Sequence, residues 1–241
     1  SAFLTLVMLS LVRPLCAQDP GFARVFGDHM VLQRDEPVRV WGWGDSGQSV
    51  VVRFGDQEHR ATVDGDGRWS VSLSALEASF AGRSLSLVLG SKEFVLEDVV
   101  VGEVWICGGQ SNMAWSVRGT RDADLEIASA DDSLLRFVRM PNEARGEPRR
   151  DYVRPEHGGQ GKEWRAIDSD TVKECTAVGY YFAQRLRRHL KVPIGLVDVS
   201  WGGTLAQFWV SKPRLRHFES VQPEFERYER ELAAWVDGGR E

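Results

Sequence analysis

Polar and apolar residues alternate with period two through most of residues 22–98. In Val38–Trp43, Val38, Val40 and Gly42 share one face and Arg39, Trp41 and Trp43 the other. That places one face against a core and leaves the other to meet solvent or a neighbouring segment. Similar short runs at Ser49–Phe54, residues 60–63, Arg68–Leu73, residues 85–89 and residues 94–96 are separated by turn sequences rich in Gly, Asp and Ser. Strands of that length at that spacing predict a small antiparallel β-sandwich over 22–98. Asp64-Gly65-Asp66-Gly67 is read as a hairpin turn, because a calcium loop of EF-hand type would need an acidic ligand where Ala75 stands.

The pattern changes after residue 98. Residues 99–107, apolar apart from Glu103, predict a buried strand. Residues 134–138 predict another. The stretch 141–161, rich in Pro, Gly and charge, predicts a long loop, with His157 as a solvated loop histidine. Residues 176–191 predict an amphipathic helix with Val178, Tyr181, Phe182, Leu186 and Leu190 on one stripe. Thr171 or Thr176 is its cap, and Pro193 and Gly195 end it. Residues 194–199 predict a buried strand, and 224–236 a charged helix. Strand, helix and strand in this order argue for an α/β unit with parallel strands over 99–241.

Composition narrows the class. Net charge is −5 over 241 residues, with no basic stripe, so nucleic acid is not an expected partner. Nine tryptophans are many for this length and suggest packing or sugar-stacking surfaces. Residues 2–12 are apolar but too short to span a bilayer. With Ala17 before a cleavage point, residues 1–18 are expected to be a secretory signal, which implies a secreted or periplasmic protein with no membrane span in the mature chain. Cys16 lacks the small preceding residues of a lipidation site, since Arg13, Pro14 and Leu15 stand there. Cys107 and Cys175 are expected as small apolar core residues rather than as a disulfide or zinc framework.

Chemistry concentrates at Gly108-Gly109-Gln110-Ser111-Asn112-Met113, directly after the 99–107 strand. A serine in a glycine-rich turn at a strand end sits where an open α/β sheet presents its reactive edge. The glycines permit a sharp turn and close approach of a substrate carbonyl. This is not the Gly-x-Ser-x-Gly elbow of α/β-hydrolases, because Met113 occupies the last glycine position.

The block from Gly102 to Met113 resembles the first sequence block of the sialate O-acetylesterase family, a carbohydrate-esterase branch of the SGNH hydrolases. The resemblance extends to the segments starting at Phe26 and Pro37, to Asp66-Gly67-Arg68-Trp69, to the segments from Ala177 to Phe182 and from Pro193 to Leu196, and to Ser200-Trp201-Gly202-Gly203-Thr204. It implies an SGNH-like (flavodoxin-like) three-layer parallel sheet, incomplete over 99–241, preceded by the β-module at 22–98. It implies Ser111 as nucleophile, with the backbone N–H groups of Ser111 and Gly202 in the oxyanion hole. Gln110 and Asn112 beside Ser111, and Trp201, Gly203 and Thr204 beside Gly202, are the candidate substrate-binding residues.

The implied substrate is an acetylated carbohydrate, sialic acid or a plant polysaccharide, deacetylated through an acetyl-enzyme with no metal or organic cofactor. Ala114 and Ser116 depart from the family pattern, which has an acidic residue and a proline there. The family's asparagine block and late Asp-x-x-His block have no match in these 241 residues. Asp56-Gln57-Glu58-His59 has the latter spacing but lies in the β-module. The 241-residue chain is therefore expected to be nearly inactive by itself. The alternatives are a non-catalytic carbohydrate-binding module or pseudoenzyme fragment, with Trp43 as an exposed sugar platform, and an SGNH lipase or thioesterase.

Overall fold

The structure is a computed structural model that describes residues 19–144, 149–152 and 163–237. The expected signal segment 1–18, Cys16 within it, and His157 lie outside the described residues. The strands in chain order are β1 (Gly21–Phe22), β2 (Val31–Gln33), β3 (Val38–Trp43), β4 (Ser49–Phe54), β5 (Gln57–Thr62), β6 (Arg68–Leu73), β7 (Ser79–Leu89), β8 (Lys92–Cys107), β9 (Asp131–Arg139), β10 (Arg165–Asp168) and β11 (Ile194–Asp198). The helices are α1 (Ser111–Ala114), α2 (Ala123–Ser129), α3 (Ala177–Leu190), α4 (Lys212–Leu215) and α5 (Gln222–Asp237), interspersed with short 3₁₀ turns.

Two sheets result. A 3-stranded antiparallel sheet has the order β1-β3-β6, and an 8-stranded mixed sheet has the order β10-β9-β11-β8-β7-β4-β5, with β2 also paired to β8. The alternation of β3 and β6 is realised: Val38, Val40, Trp69, Val71 and Leu73 face inward. They meet Val50, Val52, Phe54, Leu85, Leu87 and Leu89 of the other sheet in one apolar core. The Asp64–Gly67 turn closes as read, with Asp64 Oδ1 accepting from the amides of Asp66 and Arg68.

β8 joins this sandwich to the α/β part. The runs at 94–96 and 99–107 are one continuous 16-residue strand, so residues 98 and 99 are neighbours within a strand. Its first half pairs antiparallel with β7 and its last residues pair parallel with β11. Asp98 interrupts it with a left-handed φ of 53°, where the register with β7 shifts. Val99, Val100 and Val101 are fully buried, as the apolar run predicts. Trp105 and Ile106 further along are 42% and 73% exposed, which corrects the reading of the whole run as buried.

β11 inserts between β8 and β9 and runs parallel to both. α3 covers one face of this parallel group with Ala177, Gly179, Tyr180 and Ala183, which corrects the predicted stripe: Val178, Tyr181, Phe182 and Leu190 are exposed. Thr176 caps it, accepting from the Gly179 amide, and Gly179 allows close contact: a Cβ there would lie 2.8 Å from Cys107 Sγ. Tyr180, Ala183, Leu135, Phe137, Ile194 and Leu196 form the second apolar cluster. Among the described residues no helix is long and apolar enough to cross a membrane.

Candidate active site

The parallel register sets the last residues of three strands in a row: Asp198 of β11 lies opposite both Cys107 of β8 and Arg139 of β9. The turns that follow are joined by main-chain hydrogen bonds. The Val199 amide donates to the Cys107 carbonyl at 3.1 Å, and the Trp201 amide to the Gly109 carbonyl at 2.9 Å. Gly109 adopts φ 139°, a conformation side chains rarely tolerate. These constraints bring Ser111 and Gly202 together although 91 positions separate their numbers (202 − 111). A Cβ on Gly202 would sit 3.8 Å from Ser111 Cβ and 3.7 Å from its Cα.

Ser111 is exposed and opens α1. Its hydroxyl, its N–H and the Gly202 N–H make no hydrogen bond to any described residue. Ser111 and Gly202 are both solvent-exposed and adjacent. The far side of the nucleophile turn is anchored on α3. The Thr176 hydroxyl donates to the Met113 carbonyl at 2.5 Å, and the Ala177 amide donates to the Trp115 carbonyl.

The other expected site residues fall around this point in different ways. Gln110 is the residue before α1, and Gln110 and Asn112 are exposed. Trp201 is half-buried, and Gly203 is left-handed at φ 81°. The Thr204 hydroxyl is engaged in the turn itself, donating to the Trp201 carbonyl at 2.8 Å and accepting from the Trp209 indole at 2.9 Å.

Sequence reasoning missed the support beneath the second turn. Asp198, 1% exposed, accepts from both the amide and the hydroxyl of Ser200 through Oδ1. Its Oδ2 lies 3.6 Å from Nε of Arg139. Asp198 thereby fixes the start of the turn carrying Gly202. A signal existed in the sequence: an acidic residue two positions before a serine at a strand end forms such a local bond. Trp209 was also missed. A Cβ on Gly108 would lie 3.6 Å from its ring, so the indole stands beside the nucleophile loop.

Cys107 and Cys175 are buried and free. Burial, and then the nearby Asp198 carboxylate, push the Cys107 thiol up to about 11. Burial raises Cys175 as well. Neither is a nucleophile at neutral pH. His59 lies on β5, the edge strand farthest along the sheet from β10, with its ring against Gln57. Among the described residues no histidine bonds Ser111. Trp43 is corrected: it is 6% exposed, with its indole N–H donating to Asp151, and is not an open platform.

Sheet order, crossover helix and the paired strand-end turns define an α/β fold of SGNH type. No family model matches the chain. Its structure is similar to that of a carbohydrate acetylesterase from Xanthomonas citri, with a TM-score of 0.75 and 34% identity, covering 81% of this chain and 43% of that one. In sequence, the chain is a homologue of the sialate O-acetylesterases. It is 28% identical to the mouse protein over 215 residues, 81% of this chain and 38% of that protein. It is 30% identical to the human protein over 212 residues, 81% of this chain and 39% of that protein. The chain thus spans about two-fifths of the length of these curated relatives.

Proposed function

We propose that this chain carries the nucleophile and part of the oxyanion hole of a serine carbohydrate O-acetylesterase. The observation that supports this most directly is the juxtaposition of the exposed residues Ser111 and Gly202, neither of whose amides bonds a described residue. The relatives' names supply the substrate class: acetyl esters of sugars.

In this reading the Ser111 oxygen bonds to the acetyl carbon while its proton passes to a general base. The carbonyl π electrons move to oxygen, and the amides of Ser111 and Gly202 donate to that oxyanion. Donors placed where charge develops lower the barrier, each by ~10²–10³ in rate. The C–O bond to the sugar then breaks, and the sugar oxygen takes up the proton. Water, deprotonated by the same base, releases acetate from the acetyl-Ser111 ester. The base is not identified among the described residues. The exported location expected from residues 1–18 fits an extracellular glycan substrate and belongs to the same proposal.

The test is acetate release from an O-acetylated saccharide by the protein containing this chain, together with labelling of that same protein by a fluorophosphonate. Ser111→Ala is expected to abolish both, with a loss of at least about 10³ in rate. Turnover that survives Ser111→Ala, or a label on another residue, overturns the assignment.

A further inference from the structure

The outer face of the small sheet carries a second constellation. Antiparallel pairing sets Trp41 opposite Ser70, Arg39 opposite Ser72 and Trp43 opposite Arg68. Directly opposed residues share a face, so Arg39, Trp41, Arg68 and Ser70 project together, away from the core beneath. Residues 149–152 cross this face as a strap. Asp151 Oδ2 accepts from the Trp43 indole at 2.9 Å and from the Arg24 amide at 3.0 Å. The Tyr152 hydroxyl donates to the Arg24 carbonyl, and Arg150 donates to the Asp66 carbonyl. Strap and sheet border an open cleft of about 860 Å³, lined in part by Arg39, Trp41, Arg68, Ser70, Arg149 and Arg150.

The charge of this cleft runs against that of the molecule. The chain as a whole is −5, yet Asp64 is the one carboxylate residue among the lining residues, against four arginines. One Asp64 oxygen is occupied by the Asp66 and Arg68 amides. Arg150 is engaged with Asp66. The guanidinium groups of Arg39, Arg68 and Arg149 make no hydrogen bond or ion pair to any described residue.

Beside them Trp41 is half-buried. Its ring is held edge-on against Phe26 at 4.7 Å between centroids, and only a serine stands across from it. Free guanidiniums match carboxylates in a two-pronged fork. A fixed indole offers a flat apolar surface next to hydroxyl partners. The volume lies in the range of small-ligand sites, ~300–1,000 Å³.

We propose that this cleft binds an oligosaccharide bearing carboxylate groups: the arginines take the carboxylates and Trp41 carries the apolar face of one pyranose ring. None of the lining residues belongs to the Ser111–Gly202 edge. The cleft would hold an acidic glycan on the β-module whatever reaction Ser111 performs. An acidic peptide would satisfy the arginines but would leave the Trp41–Ser70 surface without a matching partner.

The test is isothermal titration of the 241-residue chain with trigalacturonic acid, maltotriose and a hexaglutamate peptide. Trigalacturonate is expected to bind, with maltotriose at least about tenfold weaker for lack of charged hydrogen bonds. Arg39→Gln and Arg68→Gln are each expected to weaken trigalacturonate about tenfold with unchanged thermal unfolding, since neither guanidinium holds another part of the protein. Ser70→Tyr, which fills the cleft from its sheet floor, is expected to abolish binding. Ser111→Ala is expected to leave binding unchanged, which separates failure of this inference from failure of the esterase reading. The proposal is overturned if trigalacturonate gives no heat, if maltotriose or hexaglutamate binds as tightly, if the three cleft variants bind like the parent, or if Ser111→Ala removes binding.

Discussion

Gly202 is the residue whose side-chain absence bears most directly on the nucleophile. Its nearest surroundings would tolerate a methyl group, because every contact of an added Cβ is at 3.7 Å or beyond. That methyl would nonetheless lie over Ser111, in the space an acetyl carbonyl must enter to reach the hydroxyl and the two amides. In the protein containing this chain, Gly202→Ala is therefore expected to unfold at the parent's temperature while the rate of Ser111 labelling by a fluorophosphonate falls ~10²-fold, the scale on which small misplacements act. Equal labelling of parent and variant would remove Gly202 from the site. Asp198 works at the same scale but from below. Buried beside Arg139 and bonded twice to Ser200, it holds the turn and touches no substrate position.

Among the elements, α3 couples packing to the site. Its first turn receives the chain leaving Ser111, through the Thr176 hydroxyl to the Met113 carbonyl and the Ala177 amide to the Trp115 carbonyl. Its approach to β8 depends on Gly179, where a Cβ would meet Thr176 Cγ2 at 2.7 Å and Cys107 Sγ at 2.8 Å. Gly179→Ala gains helix propensity but overpacks this contact, and is expected to destabilise the fold by about 1–3 kcal/mol in urea unfolding. A neutral or stabilising result would show that α3 shifts freely. The limits of α3 were legible because a threonine cap and a following proline are local signals; its buried face was not, since Ala177, Gly179, Tyr180 and Ala183 pack inward while Val178, Tyr181, Phe182 and Leu190 of the predicted stripe are exposed. α2 and β10 were not: Ala123–Ser129 and Arg165–Asp168 are short, and partners distant in sequence hold them. The Glu126 carboxylate of α2 accepts from Tyr180 and Gln184 of α3, and Arg165 of β10 stacks over Phe137 and pairs with Glu174.

Across the whole molecule, the joint between sandwich and α/β part is electrostatic as well as covalent. Arg136 of β9, nearly fully buried, donates to the carbonyls of His29 and Asp98 and pairs with the Asp98 carboxylate, which also meets the His29 ring at 2.8 Å. Burial raises the Asp98 carboxyl, but the His29 hydrogen bond and the Arg136 charge outweigh it and hold the group below the usual carboxylate range. A lowered folded value means that the contribution to stability is complete above the unfolded value of ~3.9 and is lost as pH falls through the folded value. Asp98→Asn is expected to flatten the acid limb of the stability curve below about pH 4, measured by urea unfolding across pH. An unchanged acid limb would show that the cluster carries no linkage.

Period-two and period-3.6 patterns, caps and Gly-Asp turns depend on residues a few positions apart. The sequence alone therefore determined the sandwich strands β3, β4 and β6, the helix α3, the strand β11 and the glycine-rich turn that carries Ser111. The tertiary structure decided which distant turns meet. The place of β11 between β8 and β9 sets Gly202 beside Ser111 and puts Asp198 over Arg139; the crossing of residues 149–152 buries Trp43 and leaves Trp41 and its arginines to form a cleft. The physical reason is that strand order and register are fixed by burial and hydrogen bonding summed over many residues, and no local window of the chain contains that sum.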